Sequence, residues 1–270
     1  MEFKNDITTL DKPSNISIKL EDMVLPTNND VYFLSKQQEL VEQYKAARRF
    51  LVETETDDWN HWFDPVDNET ANEALRLIYK SHFFETALFY YNAVVDISWV
   101  LCYVSIEFVC MKAGIPTEIS KMKSIGDAYD ALRNAENSTQ SPTAKDNPIA
   151  YLKELSTGFI PEIELVVEFW KKFASSNIRL QYNFCKHKGQ LAYTEIEKLR
   201  EDRTSEIYVK DMPEEKIKRI VSNISDVRLK ISLKSAISEL LKFDNNELFP
   251  YIEKLIETID ENLKPSSLVL

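Results

Sequence analysis

Glycine is nearly missing from this chain, with 4 residues in 270, where ordinary composition would supply about 7%. Strands and hairpins need glycine at their turns, and long helices do not. The scarcity therefore argues against a turn-rich β architecture and predicts an all-α fold. Cysteine is scarce too. Cys102, Cys110 and Cys185 are odd in number and lack any C-x-x-C spacing. A disulfide framework and a cysteine zinc site are excluded, and the three read as free thiols of a reducing cytosol. The N-terminus has no apolar stretch of the secretory kind, so a cytoplasmic location is expected.

Catalytic signatures are missing as well. There is no P-loop, no G-x-G-x-x-G, no G-x-S-x-G and no H-E-x-x-H. A di-iron bundle needs paired Glu-x-x-His motifs, and neither His82 nor His187 has a glutamate three residues before it. Asp58-Trp59-Asn60-His61 has a partial spacing but no second copy. No metal and no cofactor are expected. His61 and His82 read as structural, and Trp59, Trp62, Trp99 and Trp170 read as packing residues.

What the chain has is acid and helical periodicity. Its 44 Asp and Glu against 33 Lys and Arg leave a net charge of −11. Such a surface repels nucleic acid at long range, so DNA coating is not expected. One segment runs against the trend. From Lys171 to Arg203 there are eight basic and four acidic residues. That segment is either a helix end dressed with cations or a small anion-binding patch.

Residues 1–30 read as an extended arm and 31–264 as one helical domain, with a tail over 265–270. Ser35-Lys36-Gln37-Gln38 is a capping box that opens a helix, with Leu40, Val41, Tyr44, Ala47 and Leu51 inward and Arg48 and Arg49 toward solvent. Trp59, His61, Trp62 and Phe63 form an aromatic loop. A second helical region opens near Asp67 or Asn68, with room for a kink near Ser81. It stops where Gly114-Ile115-Pro116 supplies a helix end. Thr86 to Ile106 holds a single charged residue, Asp96. Such a stretch is long enough to span a bilayer, but Asn92, Asp96 and the flanking Glu85 and Glu107 favour a central core helix, and no membrane role is expected.

Shorter helices are predicted near Ile125 to Ala135 and Ile149 to Leu155. Pro161 then opens a helix to about Lys188, roughly 28 residues and about 42 Å at 1.5 Å per residue, with Gly189 as its C-cap. Leu191-Ala192-Tyr193 and Ile207-Tyr208-Val209 are candidate strands of a short β-ribbon. Asp226 caps a helix to Phe243, and Asp244-Asn245-Asn246-Glu247 turns into a last helix. These two read as a C-terminal helical hairpin over about 226–263.

One stripe carries candidate chemistry. Arg179, Asn183 and His187 fall at i, i+4 and i+8 of one predicted helix, with Lys186 at its edge. In metal-independent RNA cleavage a base takes the ribose 2′-hydroxyl proton and a cation stabilises the phosphate. A histidine and an arginine side by side supply both. Glu85, Asn92 and Asp96 make a second polar stripe on the most apolar helix. Buried carboxylates need partners, and Arg179 and His187 are the candidates. The second stripe either fixes helix register or orients His187.

The run Arg179…Tyr182-Asn183…Lys186-His187-Lys188-Gly189 resembles the signature helix of the HEPN superfamily, which carries an Arg-(4 to 6 residues)-His motif late in a helical bundle. Phe84-Glu85…Tyr90-Tyr91-Asn92-Ala93-Val94-Val95-Asp96-Ile97-Ser98-Trp99 resembles the core helix before it. The likeness covers about 35–190. It implies a HEPN-like bundle with long central helices and a homodimer whose motif helices face each other. It also implies a metal-independent endoribonuclease of toxin–antitoxin or defence systems, acting on RNA. Arg179 and His187 would be catalytic, Asn183 their helper, and Lys186, Asp96, Asn92 and Glu85 binding or orienting residues. Other members of the superfamily are non-catalytic modules that bind ligands or protein partners, and this reading stands beside the first. Seven residues separate Arg179 from His187 here, which sets the two about 80° apart around the helix.

Overall fold

The computed structural model describes residues 1–11, 28–56, 62–119, 122, 124–135, 143–144, 146–199 and 228–263. The chain is all-α, as its glycine scarcity predicts. Among the described residues its helices are α1 (Asn28–Glu53), α2 (Glu69–Lys112), α3 (Ile125–Ala135), α4 (Pro148–Leu155), α5 (Ile160–Ala174), α6 (Asn177–His187), α7 (Leu233–Phe243) and α8 (Phe249–Asn262). Two-residue strands β1 (Ala192–Tyr193) and β2 (Lys230–Ile231) pair in parallel, Ala192 opposite Lys230. The expected partner for β1, Ile207-Tyr208-Val209, lies outside the described residues, as do Asp226, His61 and the tail.

Several boundaries move for physical reasons. α1 begins seven residues before the Ser35 capping box, because buried Phe33 extends the apolar face back from Leu40 and stacks on Phe108 at 5.3 Å. α2 runs unbroken through Ser81, whose hydroxyl bonds back to the Ile78 carbonyl at 2.7 Å. It ends where expected. Gly114 takes φ 71°, the left-handed conformation glycine permits, and the Ile115 N–H donates to the Cys110 carbonyl at 2.8 Å. The single long helix expected from Pro161 to Lys188 is two helices, divided at Ser175 and Ser176. α7 opens at Leu233, with Ser232 as its cap. The turn read over Asp244 to Glu247 is a π-helical segment, Asp244–Leu248.

The residues group into two compact units. The first comprises Met1–Phe3, Ala46–Tyr90 and Ser175–Asp244. Phe50 stacks on Tyr90 at 5.4 Å and Phe63 on Tyr79 at 5.8 Å. Arg48, expected toward solvent, is 6% exposed. It forms a two-pronged pair with Asp244, Nε to Oδ2 at 3.0 Å and Nη2 to Oδ1 at 2.6 Å, with its guanidinium 4.5 Å from the Phe3 ring centre. Glu195 caps α7, accepting from the N–H of Leu233 at 3.0 Å and of Lys234 at 3.3 Å and from the Ser232 hydroxyl at 2.7 Å.

The second unit comprises Lys4–Lys45, Tyr91–Ala174 and Asn245–Leu270. Part of the expected N-terminal arm is folded here. Ile7–Asp11 is a 3-10 turn, and the Lys4 N–H donates to Asn245 Oδ1 at 2.8 Å. Trp99, Leu101 and Ile106 of α2 are buried, as are Ile163, Val166 and Phe173 of α5 and Ile252 and Leu255 of α8. Phe169 and Tyr251 stack with ring centres 3.8 Å apart. Among the described residues α2 is the one helix long and apolar enough to cross a membrane, and its most apolar window is 67% buried within the protein, as a core helix would be.

Candidate functional site

Serine and asparagine compete with helical hydrogen bonds in a helix interior and favour its caps. Ser175-Ser176-Asn177 therefore ends one helix and begins another. The Ser176 hydroxyl accepts from the Arg179 N–H at 3.2 Å. Arg179 thus sits in the first turn of α6, and His187 is its last residue. At the other end the N–H of Lys188 and of Gly189 both reach the Phe184 carbonyl, at 2.8 and 3.1 Å, and Gly189 takes φ 118°.

α6 buries Ile178, Gln181 and Tyr182. Asn183, Lys186 and His187 are exposed, and Arg179 is half-buried. The predicted stripe is therefore one side of one helix. Its two cations converge on Tyr182, whose ring centre is 4.9 Å from the Arg179 guanidinium and 5.7 Å from Lys186 Nζ. These are cation–π distances. Beside this group the Phe89 ring, 41% exposed, meets Tyr182 edge-on at 5.1 Å. His187 stands apart from Arg179 by eight residues, about 12 Å along the axis at 1.5 Å per residue.

Glu85 is one of the carboxylates for which Arg179 and His187 are candidate partners. Its carboxylate instead accepts from the Tyr193 hydroxyl at 2.9 Å and from the Leu191 N–H, with His82 nearby. Burial raises its pKa, and those three neighbours oppose the rise. The reason is local. The chain leaving Gly189 passes into β1 and turns Tyr193 onto α2, where its ring also meets Phe84 edge-on. Burial and then the Glu85 charge push the Cys185 thiol up to about 12, and the same two causes raise Tyr193. A cavity of about 110 Å3 opens beside Glu85, its lining including His82, Tyr193, Glu197 and Arg228. Asn92 and Asp96 lie in the later half of α2, the first fully buried and the second half-buried.

Tyr193, His82 and Arg228 were not singled out from sequence as site residues. His82 was legible, since it stands three residues before Glu85 and shares its helical face. Tyr193 needed the β1 chain path, and Arg228 lies too far along the chain for local pattern. Among the described residues no three His, Cys, Asp or Glu side chains gather as metal ligands. Compared with protein-family models, with curated proteins and with solved structures, the chain matches none.

Proposed function

We propose that this protein is a HEPN-like helical module of the cytoplasm that binds RNA through the exposed side of α6 without cutting it. The observation that carries the reading is the grouping at Tyr182. Arg179 and Lys186 lie against its ring, and exposed Phe89 stands beside it. Cations that meet a phosphate next to an aromatic face on which a base can stack are the working parts of single-strand recognition. Asn183 and His187 add hydrogen-bonding groups on the same side. The net charge of −11 restricts such binding to a short contact rather than a coat.

Binding is favoured over cleavage by the same helix. A base and a cation must share one phosphate to cleave it. Arg179 and His187 begin about 12 Å apart along α6, and Glu85, a candidate to orient an imidazole, is engaged by Tyr193. The HEPN likeness carries with it a homodimer, a toxin–antitoxin or defence setting and a protein partner. All three are companions of this proposal.

The test is fluorescence anisotropy of a short single-stranded RNA, without metal, followed by electrophoresis of the same RNA. Binding that weakens with salt is expected. Phe89→Ala should weaken it about tenfold, as loss of one stacking contact does, and Arg179→Ala and Lys186→Ala should weaken it with a shallower salt dependence. The RNA should stay intact. Cleavage abolished by both Arg179→Ala and His187→Ala would replace this reading with the endoribonuclease. Absence of binding at low salt would end both.

A further inference from the structure

Glu162, in the first turn of α5, is 1% exposed. Its carboxyl touches three groups on two neighbouring helices: the Ser105 hydroxyl of α2 at 2.6 Å, the Asn262 side-chain amide of α8 at 2.9 Å and the Cys102 thiol of α2. None is a cation. Lys153 of α4 is turned to exposed Glu164 at 2.8 Å, and the charged residues of α3, namely Asp127, Asp130 and Arg133, are exposed. Among the described residues the titratable groups that face Glu162 are Cys102 from α2 and Tyr251 from α8, both neutral acids whose own ionisation its charge would oppose. Among the described residues, an ionised carboxylate so placed has hydrogen bonds but no opposite charge.

Counting protons points the same way. Ser105 Oγ lies 2.7 Å from the Cys102 carbonyl and 2.6 Å from Glu162 Oε1. A serine hydroxyl has one proton to donate, and a carbonyl and a carboxylate are both acceptors. With Glu162 ionised, one of the two close contacts joins two acceptors with no proton between them. With a proton on Oε1 both become hydrogen bonds. Glu162 donates to Ser105 Oγ, Ser105 donates to the Cys102 carbonyl, and Oε2 accepts from Asn262. The same relay recurs two turns earlier on α2. There Ser98 Oγ lies 2.6 Å from the Val95 carbonyl and 2.7 Å from the Tyr251 hydroxyl, which supplies the second proton.

We propose that Glu162 is held in the folded protein as a neutral carboxylic acid, and that its ionisation is a pH-sensitive release of α5 from α2 and α8. Burial, opposed only by its three hydrogen-bond donors, carries its pKa up to about 7, so the release acts near neutrality. The folded chain then holds a proton that the unfolded chain gives up near pH 4.3. This contribution to stability is complete below that value and is lost as pH rises through the folded pKa.

The test is urea unfolding of the full chain and of Glu162→Gln between about pH 5 and about pH 8. The wild-type folding constant should fall with pH by roughly two orders of magnitude more than that of E162Q over this range. The comparison cancels every pH-dependent contribution that the two proteins share. Infrared spectroscopy of the wild type provides the second readout. The carbonyl band of a protonated carboxylic acid should be present below neutrality, vanish as pH rises and be missing in E162Q. Parallel pH profiles for the two proteins, or no such band in the wild type below neutrality, would overturn the proposal. Should E162Q fail to fold, the wild-type infrared titration decides alone.

Discussion

Arg48 and Asp244 in the first unit and Glu162 in the second are all almost wholly buried, yet burial has different consequences for them. The Arg48 guanidinium and the Asp244 carboxylate meet along two hydrogen bonds, so each charge has its counterpart and both are retained. Glu195, also in the first unit, keeps its charge by another route. Burial raises its pKa, but the Leu233 N–H, the Ser232 hydroxyl, its own N–H and the Lys234 N–H outweigh that and hold it down at about 2. The Leu233 and Lys234 N–H groups are unfilled donors at the start of α7, where the helix dipole also favours an anion. Glu162 has donors too, but they are side chains that serve a neutral acid equally well. The number of hydrogen bonds does not decide whether a carboxyl stays charged. What decides it is whether the donors carry positive charge or dipole that nothing else satisfies.

The largest effect expected follows from removing half of the matched pair. Asp244→Ala takes the facing carboxylate away from the buried Arg48 guanidinium, and should destabilise the protein by about 3–5 kcal/mol in urea unfolding. Adding Arg48→Met should recover part of that loss. A single variant as stable as wild type would mean that Arg48 reaches water, and the contrast with Glu162 would fail. Glu195→Ala should cost about 1 kcal/mol, since the site is partly exposed and solvent screens it. Its pH dependence is opposite in sign to that of Glu162. A depressed carboxyl stabilises above its unfolded pKa and loses that contribution as pH falls toward the folded one. Thermal melts of wild type and variant should therefore converge from about pH 5 downward. Divergence on acidification would refute the cap.

Glu85 lies between the two cases, half-buried with one hydroxyl, one backbone N–H and a histidine about it. Tyr193→Phe removes the hydroxyl and should destabilise by about 1 kcal/mol. A donor favours the ionised form, so the deficit should be larger at neutral pH than in acid. An equal deficit at both would assign it to lost ring packing instead.

Much of this architecture is legible in the sequence, and the features that are not have specific physical causes. The end of α2 could be read because only glycine takes the Gly114 conformation cheaply. The division between α5 and α6 was also written in the chain. Val166, Trp170 and Phe173 keep helical spacing, but the next buried residue, Ile178, is five positions on, out of phase by more than a third of a turn. Ser176 stands in that gap. Glu162 could have been placed inside from its spacing of four before Val166, and its position in a first turn gave it a blander explanation. Arg48 and β2 were not legible locally. The partner of Arg48 is 196 residues away, and β1 finds its parallel partner far downstream. The α6 stripe, legible from its spacing, lies on one helix. Its relation to Glu85 was not legible, because that depends on where the chain goes after Gly189.

The smallest prediction sharpens the comparison by supplying an ion pair without burial. Lys153 Nζ lies 2.8 Å from Glu164 Oε1, as close as many buried pairs, but the two side chains are 34% and 53% exposed. Water already solvates both charges, and ordering two long side chains offsets the remaining attraction. Lys153→Ala should therefore change stability by less than about 0.5 kcal/mol. Added salt should erase even that, since exposed charges are screened within roughly 10 Å at 0.1 M. If Lys153→Ala instead approached the loss expected for Asp244→Ala, distance would be the governing variable in this protein. A null result beside a large loss at Asp244 would leave desolvation as the property that separates the two pairs. The same desolvation, opposed at Glu162 by hydrogen bonds and, among the described residues, by no cation, is what keeps the proton there.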